Sequence, residues 1–282
     1  MAANLTISAL LAAGAAHLQA AGIETAVLDA ELLLAYAAGV RRTRLKSHPE
    51  QIPEDVARIR YAELIGRRER GEPLAYIVGY KDFWTLRLAV TPAVLVPRPE
   101  TELLVECALA LRADSATRAI DLGTGSGAIA LALASERPKW HVTATDVSPD
   151  ALNVARANAA SHSLTHVEFL SGSWFEPVGV RRFELIVSNP PYIGAHESEM
   201  SSPALGYEPR TALSPGADAL ACLRTIVHTA PPHLEHGGWL LLEHGAAQAA
   251  DVARELVVRG FRHVRSHRDL AGHERITEAQ WG

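Results

Sequence analysis

The chain has 282 residues, 48% hydrophobic and 21% charged, which is enough apolar material for a full core and two domains and rules out a disordered or fibrous chain. A formal net charge of -5 excludes the overall basic field that a general nucleic-acid binder carries. Cys107 and Cys222 are the only two cysteines, far apart and both in apolar runs, so no disulfide framework is expected and a reducing, cytoplasmic setting fits best.

The N-terminal run LTISALLAAGAAHLQAAG lacks a basic flank and is interrupted by HLQ, so it reads as an amphipathic helix rather than a leader. No stretch approaches the roughly 20 apolar residues of a membrane span. Residues 5–72 repeat apolar positions every three or four residues in three helical blocks, with Gly22, Gly39 and Gly71 where helices could end. This predicts a small helical domain over 1–73 with no catalytic-looking cluster. Residues 41–70 hold nine Lys or Arg against five Asp or Glu, which reads as solvated helix faces. A sharper expectation is that this domain docks a substrate protein.

Over 74–96 the period changes, and PLAYIVGYKDFWTLRLAVTPAVLVP reads as short strands broken by Gly79, Lys81-Asp82 and Thr91-Pro92, a hairpin linker. From 97 to 282, helices alternate with the strand-like runs RAIDLG, WHVTATD, HVEFLS, FELIVSN and GGWLLLEHG. Such alternation predicts an α/β domain with a parallel sheet covered on both faces. Ligands then bind beyond the carboxyl ends of the strands.

AIDLGTGSGAIALALA is strand, glycine-rich turn and helix in succession, with Gly123, Gly125 and Gly127 allowing a tight turn and close approach of a ligand. The loop follows Asp121, and Asp146 closes the next strand about 20 residues on, where a carboxylate can accept from ribose hydroxyls. The G-x-G-x-G spacing departs from the dinucleotide fingerprint, and no lysine follows as in a phosphate loop. S-adenosylmethionine is therefore favoured over NAD or ATP. After the following strand, Trp174 stands in a loop where its indole could lie along an adenine or plug the hydrophobic floor beneath.

At the fourth strand of this unit, VSNPPY ends an apolar run with Asn189 held extended by Pro190, and Pro190 by Pro191. The stiff turn offers two acceptors, the Asn189 side-chain oxygen and the Pro190 carbonyl, which match the two hydrogens of a planar NH2 group. Tyr192 can cover the face of that group. The pocket would select a carboxamide or an exocyclic base amine as methyl acceptor. Holding its hydrogens favours the positive charge that develops on nitrogen, with no strong base needed.

With these segments in order, the chain resembles the protein-(glutamine-N5) methyltransferases that modify class I peptide-chain release factors. The resemblance spans nearly the whole sequence through VLVPRPETE, DLGTGSGAIALALA, DVSPDALNVARANA, IVSNPPYI, YEPRTAL and GGWLLLEHG. NPPY alone is shared with DNA adenine methyltransferases, and the ordered combination with PRPETE is what is specific. The resemblance implies a class I Rossmann-like methyltransferase domain with a mostly parallel seven-stranded sheet, preceded by the helical bundle and hairpin. It implies the glutamine of the release factor's Gly-Gly-Gln loop as substrate and S-adenosylmethionine as donor. Carried onto this sequence, Gly123, Thr124, Gly125, Ser126, Gly127, Asp146, Trp174 and Asn189 would hold the donor. Asn189, Pro190, Pro191 and Tyr192 would position the amide, with Asn189, Pro190 and Tyr192 as the catalytic set, and Arg98, Glu100 and Thr101 of PRPETE lining the site. Ala217, Ala219 and Thr85 stand where the family often has glycine.

Two other functions compete. A nucleic-acid methyltransferase acting on adenine N6 or guanine N2 could use the same turn, but the acidic total and the lack of an added basic domain disfavour it, and no nucleic-acid partner is expected. A non-catalytic S-adenosylmethionine-binding protein would have no need to grip an acceptor amine. His233 with His236, and His263 with His267, have the spacing of metal ligands but no acidic or cysteine company in sequence, and no metal is expected.

Overall fold

The computed structural model describes residues 5–111, 116–195 and 204–282. The chain divides into two compact units, 1–79 and 80–282, so the hairpin belongs with the second. In the first unit, α1 (Ile7–Ala20) starts at Thr6, whose hydroxyl accepts from Ala9 N, and α2 (Ala26–Ala38) stops at Gly39 with φ 63°. A short α3 (Arg42–Ser47) and α4 (Asp55–Glu69) follow. Leu18, Leu33, Leu34, Leu45 and Tyr61 form their shared core. The charges that enter it are matched: Arg68 Nε donates to the buried Asp29 carboxylate at 2.7 Å, tying α4 to α2.

Residues 74–78, expected as strand, form a single helical turn instead, α5 (Leu74–Val78). LAYIV is apolar enough for either state, and the flanks decide. Pro73 sits in the cap position and Gly79, at φ 84°, closes the turn in the left-handed region. The hairpin proper is β1 (Tyr80–Phe83) paired antiparallel with β2 (Leu86–Ala89). Its positive φ falls on Trp84, at 54°, and not on Thr85, so glycine is not needed at Thr85. Asn158 fastens the hairpin: its side chain accepts from Ala89 N at 2.7 Å and donates to Ala89 O at 3.0 Å.

The remaining elements build one seven-stranded sheet. They are α6 (Thr101–Leu111), β3 (Arg118–Leu122), α7 (Ala128–Glu136), β4 (His141–Asp146), α8 (Pro149–Ser161), β5 (Glu168–Ser171) and β6 (Phe183–Ser188), then α9 (Arg210–Leu213), α10 (Ala221–Thr229), β7 (Leu234–Glu243), α11 (Ala249–Arg259), β8 (Arg262–Arg268) and β9 (Glu274–Gln280). The strand order is β5-β4-β3-β6-β7-β9-β8, all parallel except β9, which runs antiparallel to both neighbours. Alternate residues feed two cores. Ala119, Leu185 and Val187 pack with α6 and α7, while Ile120, Leu122 and Ile186 pack with α10 and α11. The runs that read as continuous apolar strands do so because both faces are covered.

Strands β8 and β9 were not singled out by the sequence pattern. RHVRSHR is a polar edge strand, and its residues are exposed or half-buried, as an edge that resists further pairing should be.

Candidate active site

The chain runs from β3 out to β5, then returns to place β6 beside β3, so the sheet has its switch point between those two strands. Register then sets the level of the site. Leu122 pairs with Thr145 and with Ser188, and Ser188 with Leu242. The next residue on each strand path is Gly123, Asp146, Asn189 and Glu243. Four chemically distinct groups therefore emerge side by side at one edge of the sheet.

The glycine loop is held from below. Gly123 N and Thr124 N both donate to Thr145 O, at 2.9 and 3.0 Å, and Gly125 N donates to Asp146 Oδ2 at 2.9 Å. Gly123, Gly125 and Gly127 have φ of 72°, 55° and 84°, the region that glycine enters without strain. Gly127 is also confined, since a Cβ there would lie 3.1 Å from Leu131 Cδ1 and 3.3 Å from Ala155 Cβ. Its lack of a side chain lets α7 pack on α8.

Asp146 accepts from the loop on Oδ2 and from Ser148 N at 2.8 Å on Oδ1, which fixes the carboxylate at the mouth of the site. Asp121 lies beneath, fully buried. Its Oδ2 accepts from Thr124 Oγ1 at 2.7 Å and Ala130 N at 3.2 Å, while Oδ1 has no partner. Burial, partly offset by those two hydrogen bonds, pushes its carboxyl up to about 7. It ties the loop to the first turn of α7.

A cavity of about 240 Å³ lies against this loop, lined among others by Gly123, Gly125, Asp146, Val147, Trp174 and Asn189. Trp174 adopts φ 46°, and its carbonyl accepts from Thr145 Oγ1 at 3.0 Å. Its indole passes the bare Cα of Gly123, where an added Cβ would come within 3.6 Å of Cζ3. Thr124, Ser126 and Gly127 do not line this cavity. The first two are buried, Thr124 on Asp121, and Ser126 with its carbonyl accepting from Asn158 Nδ2 at 2.9 Å. A carboxylate for ribose hydroxyls, a flat aromatic wall and a side-chain-free loop together suit a nucleoside-bearing donor.

A second cavity, about 470 Å³, lies on the other side of the turn, lined by Arg98, Pro190, Tyr192, Gln248 and Arg275 among others. Asn189, Leu95 and Ala212 line both cavities, so Asn189 stands at their junction. Its Nδ2 donates to Thr101 Oγ1 at 3.1 Å. The Tyr192 hydroxyl donates to Glu243 Oε1 at 3.3 Å, and burial raises the phenol well above its ordinary value. The turn's backbone is braced by Gln248, whose Nε2 donates to Tyr192 O while its Oε1 accepts from Gly245 N, both at 2.9 Å. Pro190 faces the second cavity and Pro191 the first.

Of the PRPETE residues, Arg98 lines the second cavity and its guanidinium pairs with the buried Glu208 at 2.5 Å, which also accepts from Val96 N at 3.1 Å. Thr101 starts α6 and reaches the site through Asn189. Glu100 is half-buried and lines neither cavity.

The first unit matches the PrmC N-terminal domain over residues 9–79, and residues 99–205 match the methyltransferase small domain. A release factor glutamine methyltransferase from Pseudomonas aeruginosa is 52% identical over 258 residues, covering 91% of this chain and 93% of that protein. One from Aliivibrio fischeri is 40% identical, covering 99% of this chain and 98% of the relative. The chain belongs to the release factor glutamine methyltransferase family. Its fold is also that of a methyltransferase from Pyrococcus furiosus, with a TM-score of 0.55 at 21% identity, over 77% of this chain and 98% of the other. Family and fold both imply S-adenosylmethionine as the donor.

Two buried acids support the cavity lining. Glu208, in YEPRTAL, pairs with Arg98, and Glu243, in GGWLLLEHG, accepts from the Tyr192 hydroxyl. An acid ending an apolar strand, as Asp146 ends β4, was the available signal for Glu243. Gln248 gave none. No helix among the described residues is long and apolar enough to cross a membrane. The histidine pairs separate in role: His233 stacks on Phe175 with centroids 4.5 Å apart, whereas His267 has company that its sequence neighbours did not reveal. It meets Cys107 and Glu278, with ligand atoms within 4.8 Å of one another, and none of the three lines either cavity.

Proposed function

We propose that this protein transfers a methyl group from S-adenosylmethionine to N5 of the glutamine in the Gly-Gly-Gln loop of class I release factors, in the cytoplasm. The observation that carries the reading is the position of Asn189 at the junction of two cavities, one suited to the donor and the other to a side chain entering from a protein loop. Bound in the first cavity, S-adenosylmethionine would supply an electrophilic methyl group on a sulfonium.

Asp146 and the Gly123–Gly127 loop would hold the donor's ribose, with Trp174 along the adenine. Asn189 Oδ1 and the Pro190 carbonyl would accept the two hydrogens of the glutamine amide, and the Tyr192 ring would cover its face. Amide nitrogen is a poor nucleophile because its lone pair is delocalised into the carbonyl. Two acceptors aimed at its hydrogens stabilise the positive charge that appears as the N–C bond forms, which is where preorganised dipoles act most strongly. As the N–C bond formed, the sulfonium S–CH3 bond would break and leave a neutral thioether, and one of the two amide protons would then pass to solvent water. Arg98 and Arg275 at the rim of the second cavity are each paired with an acid, so they shape the opening without leaving bare charge beside the sulfonium.

The first unit would dock the release factor. Removing residues 1–79 should raise KM for intact release factor far more than for a short glutamine peptide, and equal effects would refute docking. The reaction itself is tested with labelled S-adenosylmethionine in extracts treated with nuclease or with protease. Protease-sensitive label in a release-factor-sized band supports the reading, and nuclease-sensitive label refutes it.

A further inference from the structure

Cys107, His267 and Glu278 form a cluster that neither cavity uses, and the fold assembles it from three elements. In the antiparallel pair of β8 and β9, Arg265 lies across from Glu278 and His267 across from Ile276. Residues two apart on a strand share a face, so His267 and Glu278 stand on the same side as Ile276, which packs in one core with Cys107 of α6. Cys107 and Glu278 are each 7% exposed, whereas His267 is half-buried on the edge strand. His263, four residues before His267, is exposed and takes no part. His267 Nε2 lies 3.0 Å from Glu278 Oε2, yet it is buried with no hydrogen-bond partner, because the two atoms are close without being aligned for one. A plain histidine–glutamate pair in a core gains by aligning that bond. Two ligands of one ion instead lie side by side and aim at a third point.

We propose that Cys107 Sγ, His267 Nε2 and the Glu278 carboxylate bind a zinc ion that clasps α6 to the β8–β9 edge of the sheet. Bonds of about 2.3 Å to sulfur and about 2.0–2.2 Å to nitrogen and oxygen put tetrahedral ligands roughly 3.3–3.6 Å apart. The three atoms here all lie within 4.8 Å of one another, so closing on an ion asks the thiol to move by about 1 Å. The donor set chooses the metal. Thiolate and imidazole suit zinc, whereas magnesium and calcium take oxygen ligands. As the Zn–S bond forms, the thiol proton passes to water. Thiolate and carboxylate then match the dication, the imidazole is neutral, and the buried cluster carries no net charge. Arg265 is exposed, so its charge is met by solvent. The half-buried side of His267 leaves the fourth position to water. The site is separate from both cavities and independent of the methyl-transfer reading.

Three ligands preplaced by the fold should bind one zinc ion per chain with a Kd of about micromolar or tighter. An ion that binds only the folded state stabilises it by mass action, so zinc at about a hundredfold above Kd should raise the melting temperature of the second unit by roughly 5–10 °C. None of the ligands lines either cavity, so kcat should stay within about twofold whether zinc is bound or removed.

The test uses the full chain, stripped with a chelator and refilled with Zn2+ or Co2+, followed by metal analysis, calorimetry, melting and the cobalt absorption spectrum. Cobalt reports a bound thiolate through a sulfur-to-metal charge-transfer band in the near ultraviolet. Support is one metal per chain, that band, and a zinc-dependent rise in melting temperature. All three should be lost in Cys107→Ala and kept in Cys222→Ala, and zinc affinity should fall at least about tenfold in His267→Gln and in Glu278→Gln. If Cys107→Ala does not fold, His267→Gln at the half-buried edge carries the test. Absence of the band in wild type, a band that survives Cys107→Ala or disappears in Cys222→Ala, or zinc affinity unchanged in His267→Gln overturns the proposal. Zinc bound with no thiolate band would place it on surface histidines and overturn it equally. Turnover that collapses when zinc is removed would overturn the role as a clasp remote from the chemistry.

Discussion

Asp121→Asn should change how stability depends on pH. The Asp121 carboxyl is fully buried and raised from 3.8 to about 7, chiefly by burial. The unfolded chain therefore ionises first, and the folded state holds a proton that the unfolded state has lost. Stability from this group is fully present below about 3.8 and drains away as pH rises through about 7. The displacement of about three pH units corresponds to about 4 kcal/mol in total, of which about 3 kcal/mol falls between pH 5 and pH 8.5. Asparagine has no charge to form, and its Oδ1 can accept from Thr124 and Ala130 as Asp121 Oδ2 does. Its NH2 would stand where Oδ1 now has no partner, a cost of about 1–2 kcal/mol at every pH. The variant should thus be slightly less stable than wild type near pH 5 and more stable near pH 8.5, with the difference moving by about 3 kcal/mol. Urea unfolding of both proteins at the two pH values measures it. A difference that does not vary with pH would show that Asp121 ionises normally and that the account of its burial is wrong.

Gly127→Ala forces alanine to φ 84° and drives its Cβ toward Leu131 and Ala155. It should cost about 2–3 kcal/mol and lower the melting temperature of the second unit by roughly 5–10 °C, and an unchanged melting curve would contradict the packing argument. Trp174→Ala should weaken S-adenosylmethionine binding about tenfold by calorimetry; unchanged affinity would remove the indole from the donor site. Chelation should leave methyl transfer intact, because Cys107, His267 and Glu278 line neither cavity; activity lost to a chelator and restored by one metal would overturn this.

What could be read in the sequence was whatever depends on neighbours along the chain. The loop of Gly123, Gly125 and Gly127 follows a strand and opens a helix, and Asp146 and Asn189 each follow an apolar run. Parallel register then carries those strand ends to one level, so local spacing already encodes a shared site. Pairings between distant segments were not legible. Glu208 on Arg98, Asn158 on the hairpin, and His267 beside Cys107 join residues dozens or more positions apart, and nothing in their local context marks the partner. Residues 74–78 fold as a helical turn and not the expected strand because LAYIV suits both states and its ends, Pro73 and Gly79, decide. Between the loop glycines, the Thr124 hydroxyl donates to Asp121 and the Ser126 backbone carbonyl accepts from Asn158, partners that spacing along the chain does not reveal.

The central claim is that Asn189, where the donor and acceptor cavities meet, holds the amide during transfer. It is tested most directly by single-turnover methyl transfer from S-adenosylmethionine to purified release factor by wild type and Asn189→Ala, with the modified residue mapped by mass spectrometry. The account predicts one methyl group on the glutamine of the Gly-Gly-Gln loop with wild type, and a rate about 10³-fold lower for a folded Asn189→Ala protein that still binds the donor. A variant that transfers at close to the wild-type rate, or a methyl group mapped to another residue, would contradict it.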